Sequence, residues 1–469
     1  MEWNEMQEAK YHQMTESPIP GLIARLAVPT ICSMLITSIY NMADTYFVSQ
    51  LGTDASAAVG VIFSLMAMIQ AIGFTFGIGS STCVSRLLGQ KERQQACESL
   101  ATAFFTAIAF GAVLAALGIV FLDELVQMLG ATPEILPYAR DYARYILLGA
   151  PYMTANFVLN TALRGQGSAF YAMFGIMSGG ILNMVLDPIF IFVFGLGISG
   201  AAIATILSQL VSFFILLYFN LGGRHGSLPL RISNYRFRPS LYRDIIKGGF
   251  PSLCRQGLAS VASVALVRSC APFGVEAISA MSIVNRVMLF IVSAMIGFGQ
   301  GFQPVCGFNY GARRYDRVIE SFWFCVKVSA IMLTSLGAIM FLLAPQVMGL
   351  FRADDPLVVS IGSMGMRLQC CMLPFQSYFV MSNMMLQCTG RSGAASLLSA
   401  GRQGLFFLPA ITLLPPLVGL PGILLSQPVS DLFCVMLALV LSRRFLAEMK
   451  MLLEDQQEEG SRWGEEGAQ

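Results

Sequence analysis

The stretch FGIGSSTCVSRLLG, Phe76 to Gly89, returns later in the chain as FGQGFQPVCGFNYG, Phe298 to Gly311. A shift of 222 residues carries Phe76, Gly77, Gly79 and Gly89 onto Phe298, Gly299, Gly301 and Gly311. Working outward with the same shift and no gap, Pro29 falls on Pro251, Gly52 on Gly274, Ala55 on Ala277 and Ala58 on Ala280. Toward the far end of each half, GISGAAIATILSQ (Gly197–Gln209) lines up with GLPGILLSQPVSD (Gly419–Asp431). The chain therefore reads as two copies of one plan. What recurs is mainly small: glycines let helices approach closely and loosen the helix where they occur.

Composition says what each copy is made of. Of 469 residues, 55% are hydrophobic and 12% charged, whereas a soluble domain carries roughly 25% charged residues. Apolar runs long enough to cross a bilayer as helices recur throughout. The reading predicts twelve spans, near 22–48, 55–86, 97–121, 139–163, 168–195, 199–221, 244–270, 277–307, 321–344, 357–388, 394–417 and 421–442. The fold class expected is an all-α integral membrane protein of two six-helix bundles. Six spans per half is an even number, so both halves insert in the same orientation. Such a parallel repeat occurs in secondary transporters, with the substrate path between the halves near the midplane.

Loop charge gives the orientation. Arg86, Lys91 and Arg93, then Arg164, then Arg224, Arg231, Arg236 and Arg238, then Arg313, Arg314 and Arg317, then Arg391, then Arg443, Arg444 and Lys450 fall on one side. The loops near 49–54, 195–198, 271–276 and 415–421 carry no Lys or Arg, and those near 122–138 and 345–356 are acidic. The positive-inside rule puts the basic set and both termini in the cytoplasm, in a protein of the cell membrane. The organisation expected is a cytoplasmic segment 1–21, an N-lobe 22–221, a cytoplasmic linker 222–243, a C-lobe 244–442 and a cytoplasmic tail 443–469. The acidic N-terminus does not read as a cleaved signal peptide. A net charge of +2 gives no reason to expect nucleic acid as a partner. The eleven cysteines read as small packing residues, and His12 and His225 form no metal cluster. No GxxxxGK[ST] loop appears, so neither ATP-driven work nor an enzyme activity is expected.

Two acids interrupt the apolar runs: Asp44 in SIYNMADTYFVSQLG (Ser38–Gly52) and Asp187 in GGILNMVLDPIFIFVFG (Gly179–Gly195). An ionised Asp at a helix centre costs roughly 2.5–3.5 kcal/mol, and such residues mark ion or proton paths. Asn183 precedes Asp187 by one helical turn, so both lie on one face. Pro188 offers no N–H and leaves the Met184 carbonyl without its helical donor. Carboxylate, amide oxygen and freed carbonyl make an oxygen-rich site suited to a hard cation or a proton. Na⁺ held by Asp44, Asn183 and Asp187 is one form of it.

The second half carries bases and amides instead: Arg255, Gln256, Asn285, Arg286, Gln300, Gln303, Arg367, Gln369 and Gln376. Arg255, Gln256, Arg286, Gln300 and Gln303 are candidates for the substrate cavity. The two arginines could equally snorkel or pair with helix C-termini. Met (27) and Phe (34) are plentiful, a composition suited to a promiscuous apolar pocket.

NMADTYFVSQLG, VSRLLGQKE, ALRGQG, LNMVLDPIFIF, GISGAAIAT, GFGQGFQPVCGFNYGARRYDRV and GLPGILLSQPVSD, in that order, resemble the multidrug and toxic compound extrusion (MATE) family of cation-coupled exporters. The resemblance implies twelve helices in two bundles around a V-shaped cavity that opens alternately to either side. It also implies an N-lobe cation site at Asp44, Asn183, Asp187 and Thr205, with Asn156 and Asn160 as neighbours. Some members carry carboxylates in the seventh and tenth helices; here those spans have none, so no second cation site is expected. The implied function is Na⁺- or H⁺-coupled antiport exporting amphipathic, cationic drugs or toxic metabolites. It needs no cofactor beyond the coupling ion. The expected partners are small organic substrates and membrane lipid, and the chain is expected to act as a monomer. The alternatives are a lipid-linked oligosaccharide flippase of a related branch, or a non-transporting receptor or channel.

Overall fold

The computed structural model describes residues 2–221, 228–352 and 355–466; Arg224 and His225 of the linker lie outside them. Sixteen α-helices follow in chain order among the described residues. They are α1 Glu2–Glu16, α2 Ile19–Ser49, α3 Thr53–Gly89, α4 Arg93–Val120, α5 Leu122–Met128, α6 Leu136–Gly165, α7 Ala169–Pro188 and α8 Gly197–Asn220. After the linker come α9 Pro239–Cys270, α10 Val275–Gly311, α11 Tyr315–Leu342, α12 Ala344–Arg352, α13 Pro356–Cys388, α14 Ser392–Ala400, α15 Phe407–Val418 and α16 Leu420–Glu466. Twelve elements are long and apolar enough to cross a membrane, with α14 and α15 sharing the eleventh crossing, Ser392–Val418. The protein is a multi-pass membrane protein.

The repeat is written in the backbone as well as in side chains. Gly52 and Gly274, at matching positions, take φ of 112° and 96° just before α3 and α10, a conformation that Cβ-bearing residues avoid. At the other ends of those helices Lys91 and Arg313, again matching, take φ of 62° and 57°. Their successors donate back identically: Glu92 N–H to Leu87 O and Arg314 N–H to Asn309 O, both at 2.8 Å. The stretches 122–138 and 345–356, read as acidic loops, contain the short helices α5 and α12 at matching places. The stretch from 443, expected as a cytoplasmic tail, continues α16 as helix to Glu466. Its apolar stretch ends near 442, but helix needs no apolar side chains once the charged residues beyond it are good helix formers.

Packing joins the two lobes on one side only. One core includes residues of both lobes, among them Leu22, Val84 and Leu100 with Phe302, Phe322 and Met384. Beyond it the cores separate. Ile62, Leu65, Tyr142 and Ile146 belong to the N-lobe core, and Met281, Val284, Met288 and Ile361 to the C-lobe core. The shared core lies on the side that carries α1, so the lobes diverge toward the opposite side in a V. At the seam α2 crosses α10 and α3 crosses α9. A Cβ on Gly297 would stand 2.7 Å from the Cα of Ile31, and Gly249 has its backbone against that of Thr75. Thr30 Oγ1 donates to the Gly297 carbonyl at 2.6 Å. No larger residue fits where backbone meets backbone.

Across the closed side lies α1. Lys10 Nζ donates to Ser168 Oγ of the N-lobe at 2.6 Å, and Lys91 Nζ sits 4.6 Å from the Tyr11 ring centroid. On the C-lobe, Asn309 Nδ2 donates to the Met14 carbonyl at 3.1 Å and Arg317 Nη2 to the Ser17 carbonyl at 2.5 Å.

Candidate functional site

The site is built on α7. Pro188 ends the regular helix, and Ile189–Val193 continue as a π turn in which Phe194 N–H reaches the Ile189 carbonyl at 2.9 Å. Such wide turns occur frequently at functional positions. Gly200, at the start of α8, lets that helix approach the Phe190 carbonyl, where a Cβ would stand 2.6 Å away. On the other side Gly180 makes room for the Tyr40 ring of α2. Asp44 follows Tyr40 by one turn, and Asn183 and Asp187 follow Gly180 by one and two. The contact at Tyr40 and Gly180 therefore brings Asp44 toward the amide–carboxylate pair.

Asn183 Nδ2 donates to Asp187 Oδ1 at 3.1 Å and stands 3.5 Å from Thr205 Oγ1 of α8. Asp187 is 0% exposed and Asn183 3%. The carboxyl groups of Asp44 and Asp187 lie within electrostatic reach of each other. Three oxygens here, Asp44 Oδ1, Asn183 Oδ1 and Asp187 Oδ2, are buried with no hydrogen-bond partner. Buried acceptors without donors are rare and costly. All three are acceptors, and a hard cation, a proton or a donor such as water can satisfy them. Among the described residues no group of three or more His, Cys, Asp or Glu could hold a metal ion.

Two tyrosines that the sequence did not single out complete the site. Tyr142 of α6 is fully buried, its hydroxyl donating to Met66 Sδ at 4.0 Å and lying near Thr205, Asp44 and Asp187. Tyr40 is the other. Its spacing of four from Asp44 was a readable signal, whereas Tyr142 sits on a different helix and had none. Asn156 and Asn160 are not brought into the cluster. Asn156 Nδ2 donates to Gln209 Oε1 at 2.8 Å, and Asn160 Nδ2 to the Ala172 carbonyl at 2.9 Å. Each buried amide is satisfied by the nearest acceptor on a neighbouring helix, one or more turns from Asp187.

In the C-lobe the candidates divide. Gln300 is buried at the seam and accepts from Arg164. Gln303 Nε2 donates to Gln387 Oε1 at 3.2 Å. Gln300 is thus taken up in joining the lobes, and Gln303 in joining α10 to α13 within the C-lobe. Arg367 turns away, donating to the Phe341 carbonyl at 3.2 Å over the Phe341 ring. Gln256 and Arg255 are half-buried on α9, and Arg286 is exposed on α10.

The sequence also passed over a buried acid, Asp431 of α16, which is 2% exposed. It accepts from Gln376 Nε2 at 2.6 Å, Arg402 Nε at 2.8 Å and Gln427 Nε2 at 3.0 Å. Arg402 lies in a second π turn, Gly401–Leu405, which joins α14 to α15.

The family model described as MatE matches residues 29–189 and 251–409, one block in each half. The multidrug export protein MepA of Staphylococcus haemolyticus is 24% identical over 436 residues, covering 92% of this chain and 95% of that protein. A MATE structure in complex with MaL6 superposes with a TM-score of 0.89 at 25% identity, covering 94% of this chain and 99% of that one. The outward-facing conformation of a multidrug resistance MATE family transporter of the MOP superfamily gives 0.88 at 25% identity, over 94% and 98%.

Proposed function

From the premise that the chain belongs to the MatE family, we propose that it is a multidrug efflux transporter, not an enzyme, driven by antiport of Na⁺ or H⁺. The reading places it in the cytoplasmic membrane with both termini in the cytoplasm, working as a monomer in contact with lipid. It exports amphipathic drugs or toxic metabolites by alternating access, with the coupling ion as cargo and no cofactor.

One observation carries the coupling: three buried acceptor oxygens on Asp44, Asn183 and Asp187 lack donors. An ion or proton entering there cancels charge inside the N-lobe. It can drive transport only by binding one lobe arrangement better than the other, so the same contacts must differ between the two states. The hinge available is the end of α7, where Pro188 and the π turn break the regular hydrogen-bond ladder next to the site.

The test is export from proteoliposomes with Na⁺ and pH gradients imposed separately. Export driven by one of them without ATP supports the reading. Export that needs ATP, or that ignores both gradients, removes it.

A further inference from the structure

α9 and α10 barely pack on each other. In the C-lobe α9 lies mainly against α14 and α15, and α10 against α13 and α11. Between them Ser263 and Leu266 of α9 and Ile278, Ser282, Asn285 and Arg286 of α10 line a hollow of about 240 Å³. Its direction follows from helical phase. Arg286 and Gly297 are eleven residues apart, close to three turns, so they share a face of α10. Gly297 packs on Ile31 of α2, so that face looks at the N-lobe. Nearer the open side, where the lobes diverge, the same face borders the cleft.

Arg286 is the one charged residue lining the hollow. Among the described residues it has no ion-pair or hydrogen-bond partner. Arg255 is likewise unpartnered. It lies seven residues, close to two turns, beyond Gly248, whose face meets Gly79 of the N-lobe, so Arg255 points toward the floor of the same cleft. Arg164 and Arg402, by contrast, are engaged, by Gln300 and Asp431. An unpartnered guanidinium beside two hydroxyls, an amide and apolar walls matches one kind of ligand, an acid group on an apolar body.

We propose that the hollow between α9 and α10 is a binding subsite for the acid group of an amphipathic organic anion, with Arg286 as its anchor. The sign is opposite to the cationic substrates expected from the sequence. The subsite deepens the efflux reading and rests on it for the meaning of the ligand as cargo. The chemistry is shared by a free organic acid and by the headgroup of an anionic lipid.

The experiment measures binding of two fluorescent probes, the carboxylate dansylglycine and its neutral analogue dansylamide, to the full chain in phosphatidylcholine nanodiscs, with empty discs subtracted. The wild type is expected to prefer dansylglycine, and Arg286→Gln to weaken dansylglycine about tenfold while leaving dansylamide unchanged. Arg286→Lys should keep most of the preference, since charge survives and only the fork geometry is lost. Adding phosphatidylglycerol to the discs separates the sources: displacement of dansylglycine assigns the subsite to a lipid headgroup, and no displacement assigns it to a free acid. Equal binding of the two probes by the wild type, or unchanged dansylglycine binding in Arg286→Gln, overturns the proposal. Binding needs no gradient, so the two readings fail separately. Arg286-dependent binding without gradient-driven export leaves the subsite and removes the exporter. Gradient-driven export of ethidium without such binding does the reverse.

Discussion

Asp187 and Asp431 are both carboxylates buried in the middle of a lobe, both beside a π turn, and they have opposite surroundings. Asp187 has one donor, Asn183, and a second oxygen with no partner. Asp431 has three donors, one of them the Arg402 guanidinium. The acid closed by a permanent cation has nothing left to bind, so its charge is part of the structure. The acid left open is a place for a mobile charge. Burial alone would not have told them apart; the count of donors does.

The comparison breaks most readily at the open acids. Asp187→Asn and Asp44→Asn keep the shape and remove the charge that a cation or proton would meet. Coupled export is expected to fall about a hundredfold or more, into background, with the protein still folded. Normal expression with wild-type export and unchanged ion dependence would make these acids structural, like Asp431. The converse test is Asp431→Leu, which leaves Arg402 in the C-lobe without its counter-charge. Removing one partner of a buried pair costs about 3–5 kcal/mol, while replacing both by apolar residues can be neutral. Thermal unfolding in detergent should show a large loss for Asp431→Leu and recovery in Asp431→Leu with Arg402→Met. Ion dependence per folded molecule should stay as in the wild type. A changed ion dependence would mean that the closed acid also works.

A smaller effect sharpens the boundary of the site. Asn183→Ala removes an oxygen ligand but no charge, so half-maximal transport should require about tenfold or more coupling ion, roughly the worth of one hydrogen bond to a charged group. A loss as complete as that of Asp187→Asn would show that the amide is indispensable. The smallest effect tests the symmetry of the lobes. Asn160 donates to the Ala172 carbonyl at 2.9 Å and Asn383 to the Ala395 carbonyl at 2.8 Å. Asn160→Ala and Asn383→Ala should each cost about 1–2 kcal/mol of stability, nearly equally, without moving ion dependence. A transport defect in Asn160→Ala alone would return that residue to the ion site.

The fold was legible because bilayer thickness imposes one length on every span, and a repeat at fixed register shows even when few residues match. Gly52 and Gly274 were aligned by sequence and turn out to share a backbone conformation that explains why both are glycine. The acids of the candidate site were legible for the same reason that they are costly: a carboxylate in an apolar run stands out. Tyr142 did not, since an aromatic in a span is ordinary and its neighbours come from other helices. Asp431 was overlooked because its partner Arg402 lies on another span, and pairing between helices leaves no local spacing to read. Gln300 and Gln303 were polar in the right region, but the same chemistry that could hold a ligand holds a neighbouring helix instead, across the seam for Gln300 and within the C-lobe for Gln303.

The helix laid across the closed side has a consequence for the order of events. Only Ser17 and Pro18 separate α1 from α2, so α1 is tethered to the N-lobe at its C-terminal end. If the lobes part on that side, the N-lobe end can ride along, held by Lys10 at Ser168. The bonds from Asn309 and Arg317 to the Met14 and Ser17 carbonyls cannot stretch with it. On the efflux reading proposed above, these are the stitches such an opening would have to unpick, at Asn309 and Arg317.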